Sequence, residues 1–204
     1  MFIGEWNKSV ILTYIGVCFA VLGICLVGSG AVYQAYACLI VAGVCDLFDG
    51  AVARKCKRTE AQKRFGIELD SLVDVMSFLA LPTAICIGMG LRQWYHIAAL
   101  LLFGICGIAR LAFFNAEDAD SEGPVKYYRG LPVTYTALIL PLAYLLKYVL
   151  SEEFFPAVFI GVVVLVAILN ILDIKVIKPR GIAYVFFAVL ALVMLVVFLA
   201  VLPK

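Results

Sequence analysis

Apolar residues along this chain gather into seven stretches, 10–28, 32–54, 66–89, 93–114, 132–150, 154–172 and 182–202, parted by short polar segments. An α-helix needs about 20 mostly apolar residues to cross the hydrocarbon core of a bilayer, and each stretch is near that length. The pattern predicts an all-α, polytopic transmembrane helix bundle in which residues 1–204 form a single membrane domain. The first stretch is too long, and lacks the small-residue cleavage site, for a removable signal peptide. No soluble domain fits between the spans. The longest polar segment, Ala116 to Gly130, has the length of a substrate lid or an interfacial segment.

Composition strengthens this picture. The chain is 65% hydrophobic with a mean hydropathy of +1.09, whereas a soluble domain holds about 45–50% apolar residues. The excess has to face lipid. A net charge of only +2 suggests no nucleic-acid partner. With the N-terminus in the cytoplasm, Lys8, Arg54, Lys55, Lys57, Arg58, Lys63, Arg64, Arg110, Lys126, Arg129, Lys175, Lys178 and Arg180 fall inside. Only Arg92, Lys147 and Lys204 fall outside. The positive-inside rule therefore predicts a cytoplasmic N-terminus. The seven cysteines include no CxxC pair and read as small buried hydrophobes in a reduced setting. The one histidine, His96, stands beside Trp94 and Tyr95 at the outer interface, which argues against histidine-based acid–base or zinc chemistry.

Carboxylates near hydrocarbon are costly and mark functional positions. Asp46 and Asp49 stand near the inner end of span two; Glu68, Asp70 and Asp74 stand in the first turns of span three. Asp46, Asp49 and Ala53 share one face of the first helix at i, i+3 and i+7. Gly66, Asp70 and Asp74 share one face of the second at i, i+4 and i+8. Two such helices joined by a short basic loop bring Asp46, Asp49, Asp70 and Asp74 into one small volume. Four carboxylates there repel one another unless cations intervene. All-oxygen ligation suits Mg²⁺, Mn²⁺ or Ca²⁺, and a two-ion site of this kind can hold both oxygens of an in-line displacement at phosphorus. Gly50, Ala53 and Gly66 leave room either for a nucleotide or for close helix packing. Arg54 is placed either to touch a phosphate or to snorkel to the membrane edge.

The pattern Asp46-x2-Asp49-Gly50-x2-Ala53-Arg54-x11-Gly66-x3-Asp70-x3-Asp74 resembles the signature of the CDP-alcohol phosphotransferases. All eight specified positions match in order, and only the gap between Arg54 and Gly66 is longer than usual, in a loop that tolerates insertion. Flanking text is most similar to the membrane-type phosphatidylserine synthase branch: FGIELDSLVDVMSF from Phe65 to Phe78, Ala109-Arg110-Leu111 with Phe114-Asn115, Gly130-Leu131-Pro132, and DIKVIKP from Asp173 to Pro179. Two positions depart from the pattern. Gly16 follows Thr13 where the family often has Asn, and Leu79 stands where a small Gly is usual.

The resemblance implies a six-helix core, here with a seventh C-terminal span, usually dimeric and in the cytoplasmic (inner) membrane with the active site facing the cytoplasm. It implies Asp46, Asp49 and Asp70 as metal ligands. Asp74 becomes the general base, also touching a second ion. Gly50, Ala53, Arg54, Gly66 and Thr13 are expected around the nucleotide of the donor. The implied reaction passes the phosphatidyl group of CDP-diacylglycerol to L-serine and releases CMP. The zwitterionic acceptor needs a cation, for which Arg110 is the first candidate, with Asn115, Lys175 and Lys178 as further acceptor contacts. Glycerol 3-phosphate or inositol phosphate as acceptor, or an archaeal ether lipid as donor, fits the same motif. An ion-coupled transporter also carries intramembrane carboxylates, but it predicts them at mid-membrane and in inverted repeats.

Overall fold

The structure, a computed structural model, describes residues 4–119, 127–177 and 181–202. Helices α1 (Ile11–Gly28) and α2 (Val32–Lys55) form a tight antiparallel hairpin. Helix α3 (Glu60–Asp74) passes through a π-helical segment, Val75–Ala80, into α4 (Leu81–Gly88) as one continuous rod. Helix α5 (Trp94–Ala119) packs along α7 (Phe155–Ile171). Helix α6 (Thr136–Tyr144) is extended at both ends by 3-10 turns, and α8 (Ile182–Val196) ends in a second π-helical segment, Val197–Val201. The chain is an all-α polytopic membrane bundle, with α2 touching α1, α4, α6 and α8.

Seven spans were expected; among the described residues five helices are long and apolar enough to cross, and two, Val133–Tyr148 and Phe155–Ile171, are shorter. Pro141 inside α6 removes a backbone donor. These two helices are also inward-facing, burying Leu140, Pro141 and Tyr144 on α6 and Phe159, Val163 and Val166 on α7. The expected third span begins earlier than 66. Thr59 and Gln62 form a reciprocal capping box, each side chain bonding the other's backbone N–H, and this starts α3 at Glu60.

A two-stranded antiparallel ribbon was not expected. β1 (Tyr127–Arg129) pairs with β2 (Lys175–Ile177) in the register Tyr128↔Val176 and Arg129↔Lys175. Gly130 closes the ribbon against α7. Its φ is +74°, and a Cβ there would lie 2.4 Å from the Asn170 carbonyl oxygen, so only glycine fits. All seven cysteines are free, but Cys18 and Cys25 lie on the outward face of α1, unlike the buried Cys38, Cys45, Cys86 and Cys106. His96 is buried, 4% exposed, and its Nδ1 accepts from the Gln93 N–H at 3.3 Å, so its ring turns inward at the start of α5 beside the exposed Trp94 and Tyr95.

Candidate functional site

The hairpin from α2 to α3 sets the depth of the aspartates. Only residues 56–59 join the two helices. Asp46 lies nine residues before the end of α2 and Asp70 ten after the start of α3, so both stand about 14 Å from the turn. Carboxylate oxygens of Asp46, Asp49 and Asp70 lie within 4.8 Å of one another. Asp74, 7% exposed, is one turn deeper on the face of Asp70 and lines the same cavity. Thr13 on α1 donates its hydroxyl to Asp49 Oδ2 at 3.1 Å. Three close, half-buried or buried carboxylate oxygens, with no Cys or His in the same close group among the described residues, fit a hard divalent cation.

The cavity, about 340 Å³, has the size of a small-molecule site. Besides the four aspartates it is lined by Gly50, Arg54, Ser71, Arg110, Asn115 and Tyr128, with an apolar side from α6 and α8 that includes Ala137, Phe187 and Met194. Of the small residues, Gly50 reaches it, as does Ala51, whereas Ala53 and Gly66 do not line it. Thr13 does not line it either; it reaches the site only through Asp49.

Arg110 is the unusual group. It is 7% exposed, and neither Nε nor Nη2 has a hydrogen-bond partner among the described residues. Its guanidinium carbon lies 5.0 Å from the Phe114 ring centroid and 5.8 Å from that of Tyr128, contacts that steady the cation without neutralising it. A buried cation with donors left unpaired is expensive, and this one shares with the aspartates a cavity large enough for a ligand. Asn115 is not a helix cap, because α5 continues to Ala119. Its Oδ1 accepts from the Ser71 hydroxyl at 3.0 Å, which ties α5 to α3 beside the aspartates.

The ribbon resolves the other cations. Arg129 is held by Asp173, at 3.0 Å and 2.7 Å, and by Glu117 at 3.4 Å. Lys175 is exposed on β2 opposite Arg129 and does not line the cavity. Lys178, like Lys126 and Arg180, lies outside the described residues. Tyr128, whose hydroxyl burial pushes up to about 12, stays a neutral phenol in the cavity wall. The sequence did not single out Tyr128, Ser71, Tyr135 or Tyr184, all of which line the cavity.

Comparison with known proteins points the same way. Residues 6–201 match the family described as CDP-alcohol phosphatidyltransferase. The chain is similar to the CDP-diacylglycerol–serine O-phosphatidyltransferase of Saccharomyces cerevisiae, 41% identical over 53% of this chain and 41% of the relative. The enzyme of the same name from Helicobacter pylori is 33% identical over 67% of this chain and 58% of the relative. The archaetidylserine synthase of Methanothermobacter thermautotrophicus is 36% identical over 61% and 52%. The matches thus span about half the length of these curated relatives.

Proposed function

The chain belongs to the CDP-alcohol phosphatidyltransferase family, and from that premise we propose that it transfers the phosphatidyl group of CDP-diacylglycerol to L-serine, giving phosphatidylserine and CMP. One observation carries this reading. Three carboxylates within 4.8 Å of one another share a cavity with a buried arginine whose Nε and Nη2 have no hydrogen-bond partner among the described residues. The first pole suits a cation-held diphosphate and the second suits the carboxylate of an amino-acid acceptor. The names of the relatives favour serine as that acceptor.

In this reading Asp46, Asp49 and Asp70 would hold the divalent metal, Mg²⁺ or Mn²⁺ with Ca²⁺ as an alternative, and Asp74 would also serve as a ligand to a second ion. The metal supplies charge neutralisation of the diphosphate and of the departing CMP. Asp74 accepts the proton of the serine hydroxyl. The serine oxygen bonds to the phosphorus that carries diacylglycerol, and the bond from that phosphorus to the oxygen bridging to CMP breaks. A carboxylate is a weak base at neutral pH, so orientation supplies most of the acceleration. Arg110 binds the serine carboxylate and Asn115 its remaining polar edge. Gly50 and Arg54 border the nucleotide. Ala53 and Gly66 shape the helices behind it. Lys178 is a further acceptor contact in this reading, whereas Lys175, which does not line the cavity, is not.

The acidic end faces the cytoplasm of the inner membrane, in keeping with its crowd of Lys and Arg, and the working unit is a homodimer. The archaeal relative supports a second reading, the same acceptor with an ether-lipid donor. The deciding experiment is CMP release by purified protein with either donor, each acceptor alcohol, and Mg²⁺ or Mn²⁺. Serine-dependent CMP release that EDTA stops is expected. Release with glycerol 3-phosphate but not serine, or release indifferent to EDTA, refutes the assignment.

A further inference from the structure

The four aspartates have two sides. One faces the 340 Å³ cavity toward α5, α6 and α8. The other borders a second, much smaller void of about 10 Å³, walled by Thr13 and Gly16 of α1, Cys45 of α2, and Ser77 in the π-helical segment just after Asp74. The carboxylates are thus a partition between a ligand-sized space and a water-sized one. A void of this volume takes about one water, provided two to four polar groups receive it. The lining supplies them.

Ser77 is the group without another explanation. It is 1% exposed, and its Oγ has no hydrogen-bond partner among the described residues. A buried hydroxyl left in that state is costly, and an α-helical serine ordinarily escapes by bonding back to the preceding turn. Here the π-helical segment holds it against the void instead. Segments of this kind concentrate at functional positions. Thr13 already donates to Asp49 Oδ2 at 3.1 Å, so its oxygen is free to accept a proton from a water on the same side.

We infer that Ser77 is a positioning residue for the aspartate cluster, acting through one buried water in this void. The water links the Ser77 and Thr13 hydroxyls to the rear oxygens of the carboxylates and leaves their front oxygens turned to the cavity. This rests on the reading that the aspartates hold a divalent cation. Hydrogen bonds behind metal-binding side chains fix their orientation, and losing one typically costs about 10- to 100-fold in metal affinity or activity.

The test is Mn²⁺ binding to the purified full chain in detergent, by titration calorimetry without lipid or serine, alongside kcat and serine KM. Ser77→Ala is expected to bind Mn²⁺ about tenfold more weakly and to lose kcat while serine KM holds. Ser77→Thr, which keeps the hydroxyl, is expected to restore both. Gly16→Ala approaches the same water from α1. Its new Cβ meets Cys45 Cβ at 3.6 Å and Val73 Cγ1 at 3.9 Å, ordinary contacts, so the fold tolerates it while the methyl takes up the void. It is expected to weaken Mn²⁺ binding as Ser77→Ala does, and it decides the matter if Ser77→Ala does not purify folded. Parent-like Mn²⁺ affinity in a folded variant of either position overturns the inference. A parent chain that binds no Mn²⁺ fails differently, removing the cation reading and this inference together.

Discussion

The two ends of the bundle differ in how much charge they bury. At the far end of α2 from the aspartates, Tyr36 is fully buried, and its hydroxyl donates to Met89 Sδ at 3.2 Å. Its ring lies 4.9 Å from both Tyr144 and Phe198, and Tyr144 lies 5.9 Å from Phe155. These rings pack against one another, and the polar atom of Tyr36 has its partner. At the acidic end, four carboxylates line one wall of a cavity, and Arg110 keeps two nitrogens unpaired among the described residues. The aromatic end spends its side chains on stability. The acidic end holds charge unneutralised, which disfavours the folded chain and suits a ligand that brings the missing charges.

That contrast breaks most sharply at Asp70. Asp70→Asn is expected to cut CMP release at least about a thousandfold, about 4 kcal/mol in transition-state stabilisation, and to abolish the response to Mn²⁺. The same variant, kept metal-free, is expected to melt at a higher temperature than the parent, because one of the mutually repelling charges is gone. Lower metal-free stability would mean that the aspartates support the fold and would erase the distinction. Next in size is Tyr36→Ala. A large-to-small change in so closely packed an aromatic cluster costs about 3–5 kcal/mol, read as a lower melting temperature in detergent. The molecules that remain folded are expected to turn over at the parental rate; a fall in kcat per folded molecule would couple the two ends.

Arg110→Gln comes third. If the guanidinium waits for the serine carboxylate, serine KM rises about 10- to 100-fold while the KM for CDP-diacylglycerol stays within about twofold, since one charged hydrogen-bonded contact is lost. Thermal stability is expected to hold or rise, because an unpaired buried cation has been removed. Equal losses for donor and acceptor would place Arg110 among the groups that merely shape the cavity.

These residues differ in how readable they were. Asp46, Asp49, Asp70 and Asp74 stand out in the sequence because charge inside an apolar run is anomalous and the helical period fixes which faces they share. Arg110 stood out for the same reason. Tyr135, Tyr184 and Phe187 did not, although they line the cavity. In a helix that is apolar all round, periodicity gives no inward face, so packing alone decides which aromatics turn to the site. The β1–β2 ribbon was also hidden. Three-residue strands carry too little alternation to read, and their pairing joins segments far apart in the chain. The early start of α3 was legible in principle, since Thr59 and Gln62 have the spacing of a capping box.

The smallest effect is expected at Arg129, and it sharpens the comparison by showing that a cation near the site need not belong to it. Arg129 is exposed and already committed to Asp173 and Glu117, so Arg129→Ala is expected to leave serine KM and kcat within about twofold, as for other solvent-screened pairs. Its influence is structural and confined to acid. The Arg129 guanidinium holds the Asp173 carboxyl below its ordinary value. The pair's contribution is therefore complete above the ordinary carboxylate range and disappears as pH falls through the lowered value. Melting temperature followed downward from neutral pH should show the parent and Arg129→Ala converging only in that acidic window, with their small difference constant above it. A difference that instead grows between pH 6 and 8, or a serine KM that rises as it does for Arg110→Gln, would move Arg129 from the ribbon to the acceptor site.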